Sequence, residues 1–266
     1  MKEISFLLFP LALIQACSGQ TPAKSENPQT PETTKQVQAE TNPIQVLYDQ
    51  YKDNSKPSIS SGTVSNGSLK NGRLFPFKGP NFIYFDSTSY LEKHAFVNEK
   101  VYQTVLNTYQ KFEQLLPSFE FGLMECSNEH GGKIWPHRTH QNGLSVDFMS
   151  PLLKNGTPTT DFNTLGLPHY LMDFDENGVY TEDQNYQIDF NLIARHLLEL
   201  NEQAHKNGLK IEKVILKIAL KDELFATEYG QKLKNSGIYF ATKLSDLIDS
   251  LHDDHYHVDF GISGGK

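Results

Sequence analysis

With 266 residues, 38% of them hydrophobic, the chain can bury one good-sized core, and nothing in it calls for a second. Twenty-four basic residues against 32 acidic ones give a formal charge of −8. That balance argues against a nucleic-acid backbone as the main partner, because such affinity rests on clustered cations.

In chain order, Lys2 opens a short apolar run from Ile4 to Ile14, too short to span a bilayer but of the right length for a secretory leader. The run stops at Ile14-Gln15-Ala16-Cys17, which resembles the lipobox of bacterial lipoproteins, although Gln15 departs from the usual small residue. Cleavage there would leave Cys17 as an acylated N-terminus, which predicts an exported, periplasmic protein tied to the outer membrane by a lipid anchor at Cys17. Plain secretion with Cys17 a bystander is the alternative. Residues 1–16 are thus read as the leader and 17–43 as a tether, rich in Pro, Thr, Gln and Glu and without aromatic residues. Residues 44–266 form the single folded domain. Cys126 is the only other cysteine and reads as a small core residue rather than a nucleophile.

Apolar residues from Tyr90 to Leu115 recur at helical spacing and predict one or two amphipathic helices over 88–116. A further helix is expected from Phe190 to Lys206, stopped by Asn207-Gly208. Short alternating or β-branched runs predict strands at 120–125, 144–149, 209–219 and 256–262. Together they predict an α+β body with a mostly antiparallel central sheet flanked by helices and long loops. The stretch 151–187, full of Gly, Pro, Asn and Asp, reads as a surface excursion around a site. Within it Asp173 to Gly178 imitates the start of a calcium loop. Gln184 stands where such a loop needs a bidentate Glu, so a plain turn is the better reading.

Two distant segments carry the chemistry: His137-Arg138-Thr139-His140 running on to Asp147, and His252-Asp253-Asp254-His255-Tyr256-His257. Imidazole nitrogen and carboxylate oxygen are zinc ligands, and a catalytic zinc takes three while leaving one position for water. On a strand, His255 and His257 share a face while Tyr256, Val258 and Phe260 line the core. The same alternation turns Asp147 away from Leu144, Val146 and Phe148, and Gly143 supplies the turn that folds His140 back over Asp147. This scheme assigns His140, Asp147 and His257 to one Zn2+. It keeps His255 off the metal, one pleat repeat of about 6.6 to 6.8 Å away, where it can donate to an oxyanion.

The H-x6-D pair followed by a late H-x-H resembles the LAS group of zinc peptidases. The longer match is with the penicillin-insensitive murein endopeptidases, through His137-x-x-His140-Gln141-x-Gly143-Leu144-x-Val146-Asp147 and His252-x-x-His255-x-His257-Val258. Ser61-Gly62 and Ser65-Asn66-Gly67-x-Leu69 are similar upstream. The resemblance implies an LAS-type fold, and hydrolysis of D-alanyl to diaminopimelyl cross-links in peptidoglycan with His140, Asp147 and His257 as ligands. It leaves the general base open between Asp254, where the carboxypeptidase and dipeptidase branches carry one, and His252. The histidine matching His137 can join a second metal in relatives. Here Asp175 stands in the following loop but the partner histidine is missing, so a second metal is not expected. Two rival functions stay open: a D,D-carboxypeptidase or dipeptidase on the same chemistry, and a wall-binding lipoprotein whose zinc only supports the fold. Trp135 reads as cleft wall or packed core, and Arg138 as a substrate-carboxylate partner or a solvated cation. His94, His130, His169, His196 and His205 are read as ordinary surface or core residues.

Overall fold

A computed structural model describes residues 41–263. The leader, Cys17 and nearly all of the tether lie outside the described residues. Helix α1, Pro43–Tyr51, opens on the Asn42-Pro43 pair, the last two residues assigned to the tether. Asn42 caps it by accepting from Ile44 N, and proline is well suited to the first helical position.

Strands β1, Ile59–Thr63, and β2, Asn66–Lys70, form an antiparallel hairpin. Two short strands, β3 Arg73–Leu74 and β4 Lys78–Gly79, lead into β5, Phe82–Tyr84. The helical run predicted over 88–116 divides in two. Helix α2, Ser87–Leu91, is capped by Asp86, and the chain breaks at Lys93 with φ +70° before β6, Phe96–Val97. Helix α3, Glu99–Leu115, then starts on an Asn98 cap and buries Val101, Val105, Tyr109 and Phe112 along one face.

Strand β7 covers Phe121–Leu123 and β8 Ser145–Met149. The excursion at 151–187 is more ordered than its composition suggests. Strands β9, Leu152–Lys154, β10, Thr157–Thr159, and β11, Tyr186–Ile188, make a small antiparallel sheet, and a 3-10 turn spans Leu167–Leu171. At the calcium-like segment Asp175 Oδ1 accepts from Asn177 N and Val179 N, which is an Asx turn.

Helix α4, Phe190–Lys206, has the predicted limits, with an Asp189 cap and Gly208 at φ +69° beyond its end. Strand β12, Leu209–Ile215, stops short of Ala219, and short helices α5, Lys221–Ala226, α6, Glu228–Lys234, and α7, Asp246–Ser250, precede β13, His255–Ile262. The central sheet runs β12-β13-β8-β7-β5-β4, antiparallel throughout except for β5 against β7. The described residues form one α+β domain. On one face of the sheet Phe148 stacks on Tyr256 at 5.5 Å, and His196 of α4 lies 4.9 Å from the Phe148 ring. Helix α3 packs on α4, closing this core. The opposite face carries the histidines.

Candidate metal centre

The register of β8 against β13 places Asp147 directly opposite His257, with Ser145 opposite Asp259 and Met149 opposite His255. Alternation puts all six on one face. His140 reaches that face from the preceding loop, where it adopts φ +66° and Gly143 φ +76°. The loop is pinned by Ser127, whose Oγ donates to the His140 carbonyl and accepts from Gly143 N. Gln141 N donates to Val64 O at 2.9 Å, so the β1–β2 hairpin braces the same loop. A Cβ on Gly143 would stand 2.8 Å from Asn98 N, and only glycine fits there.

Asp147 is the hub. Its Oδ1 lies 2.7 Å from His257 Nδ1, while its Oδ2 lies 3.2 Å from His140 Nε2, 3.8 Å from His137 Nδ1 and 3.9 Å from His255 Nε2. The structure therefore brings together His137, His140, Asp147, His255 and His257. It also draws His255 Nε2 nearer the carboxylate, at 3.9 Å, than the pleat spacing alone suggests. Each of three imidazoles is held from behind by its own carboxylate: His137 Nε2 by Glu125, His255 Nδ1 by Asp254, and His257 Nε2 by Asp259 at 2.7 Å. Histidine ligands of metals are oriented in this way.

His137, His140 and Asp147 present ligand atoms within 4.8 Å of one another and could hold a metal ion. His257 stands outside that trio but shares the Asp147 carboxylate. Both ring nitrogens of His140 and Oδ2 of Asp147 are buried without a hydrogen-bond partner, a costly arrangement that a cation would relieve. The electrostatics agree. Although burial opposes it, Asp259 and Asp147 raise the His257 imidazolium to about 10. Against the same penalty His140 and His257 hold Asp147 well below the usual carboxylate range. Burial lowers His140 despite Asp147 beside it. Positive charge is thus favoured at this carboxylate, and burial favours the neutral form of His140.

His252 is also part of the centre, its ring 4.8 Å from His255 and 6.3 Å from His257. Burial, then the His255 charge, lowers it to about 3. Its Nδ1 lies 2.6 Å from the Ile248 carbonyl, which can only accept, so Nδ1 carries the proton and Nε2 keeps its lone pair. Asp254 has its side chain committed to His255 and its carbonyl to Ser150 N and His169 Nε2.

Sequence reasoning passed over Glu125, Asp259 and Tyr170. Tyr170 comes from the 3-10 turn, donates to Glu125 Oε2 at 3.3 Å and lies edge-on to His255. His94 and His169, read as ordinary, stand directly behind the site on Glu125 and Asp254. Only the period-2 spacing of Asp259 from His257 was a usable signal. Trp135 is 91% exposed, which overturns its reading as packed core. Arg138 is exposed, and His196 is a core residue bonded to Tyr256 Oη. Cys126 is fully buried, and burial pushes its thiol well above the ordinary value, as suits a core residue. No protein-family model matches the chain, and no curated protein matches it either.

Proposed function

We propose that the chain is a zinc peptidase that cuts D-alanyl to diaminopimelyl cross-links in peptidoglycan, a murein endopeptidase of the LAS kind. One observation carries the reading: segments more than a hundred residues apart, H-x6-D and H-x-H, converge on the two oxygens of Asp147. The resemblance of both segments to that family supports the substrate class, and the lipobox-like leader supports a periplasmic body anchored through Cys17.

His140, Asp147 and His257 are the residues that would hold the ion, with His137 as a further donor at the same carboxylate oxygen. Zinc bound there supplies a Lewis acid and lowers the pKa of its water. His252 Nε2, with its lone pair kept free by the Ile248 contact, takes the proton of the attacking water. The Asp254 carboxylate behind His255 stabilises the imidazolium form, which donates from Nε2 to the carbonyl oxygen as it gains charge. Between the two candidate bases, Asp254 is already occupied by this support, which favours His252.

The test is muropeptide chromatography of purified cell walls digested with the protein, with and without chelator. Conversion of cross-linked dimers to monomers, abolished by chelation, is the expected result. Release of free D-alanine would replace the endopeptidase by a carboxypeptidase or dipeptidase. Bound zinc with no cleavage of any wall fraction would leave a wall-binding protein.

A further inference from the structure

Glu125 lies two residues beyond β7, 6% exposed, and its backbone carbonyl accepts from Asp147 N at 3.0 Å. The strand pairing that carries Asp147 therefore carries Glu125 too. Its carboxylate takes four donors: His137 Nε2, His94 Nδ1 at 3.2 Å, Ser89 Oγ at 3.2 Å and Tyr170 Oη at 3.3 Å. Ser89 is itself in contact with Tyr84 Oη at 3.0 Å, so the network is built from four separate stretches of chain. We infer that Glu125 is a positioning residue which turns the Nδ1 lone pair of His137 toward Asp147, an inference that rests on the metal reading above.

The argument is one of proton placement. A carboxylate can only accept, so in the neutral ring the His137 proton sits on Nε2, and Nδ1 is the nitrogen that faces Asp147 Oδ2 at 3.8 Å. That is the tautomer a ligand needs. A purely structural role explains the choice of residue less well, because a carboxylate is harder to desolvate than an amide or an apolar side chain.

The experiment measures zinc affinity of the full-length chain by competition with a chromophoric chelator, together with the visible spectrum of the Co2+-loaded protein. Glu125→Gln is expected to weaken zinc by about 10- to 100-fold and shift the cobalt bands. Glu125→Asp, which keeps the charge but withdraws it from His137, should fall between, and it carries the measurement if the amide variant does not fold. In a His137→Ala background Glu125→Gln should add less than about twofold, since the two act as one unit. Wild-type affinity in both Glu125 variants, or the full loss persisting without His137, overturns the inference alone. A wild-type chain that binds no zinc overturns the metal reading and this inference with it.

Discussion

Asp147 is a buried carboxylate approached by four imidazoles, and the role of each imidazole follows from what holds it. His140 has no hydrogen-bond partner and His257 points Nδ1 at Asp147, so in the proposed centre both would serve the cation directly. His140→Ala, Asp147→Ala and His257→Ala should each lose bound metal and activity together, read by elemental analysis and wall digestion. His257→Ala with its full metal content would contradict the ligand set. His255→Ala should keep its metal and lose about 10²- to 10³-fold in kcat, the usual cost of an oxyanion donor. His252→Ala should also keep metal and lose about 10²- to 10⁴-fold, as expected of a general base. Equal losses in His255→Ala and in its double variant with Asp254→Asn would show that Asp254 acts through His255.

At the scale of elements, the strand pair β8–β13 is sharply specified on both faces. On the core face α4 sends His196 against Tyr256 Oη at 2.8 Å, and burial lowers the imidazole to about 3. Its folded value lies below the unfolded one, so its contribution is fully present above pH 6.5 and is lost as pH falls toward 3. The slope approaches about 1.4 kcal/mol per pH unit. Urea midpoints measured across that window should flatten in a His196→Phe/Tyr256→Phe variant, which removes both polar groups at once. On the other face, Gly143→Ala should destabilise by at least about 1 to 2 kcal/mol from its left-handed backbone alone. Zinc affinity should fall with it, because this turn carries His140. Such elements were legible where one periodicity dominates, as in α4 with its cap and Gly stop. The strands at 152–159 and 186–188 were not, because they run for three residues each amid turn-forming residues. Helices α5 to α7 are five to seven residues long and show too little periodicity to read.

For the molecule as a whole, what the sequence shows of the site is its ligand types, and what it hides is their supports. The imidazoles that reach the Asp147 carboxylate sit in two recognisable motifs. Glu125 and Tyr170 come from stretches whose composition marks them as strand end and loop, and only the fold brings them together. In the proposed centre cation and fold would be coupled, because β8, β13, the His140 loop and the β7 end all meet at one negatively charged point. An ion that binds only the folded state stabilises it by about 2.7 kcal/mol at a free concentration a hundred times its Kd. For a domain of this size each kcal/mol is worth about 2 to 4 °C in Tm. Chelation of the zinc-loaded protein should therefore lower Tm by roughly 5 to 10 °C, and added zinc should restore it. Asp147→Ala should melt at one temperature with or without chelator. A wild-type Tm indifferent to zinc would mean that the buried, unpartnered atoms of His140 and Asp147 are satisfied some other way.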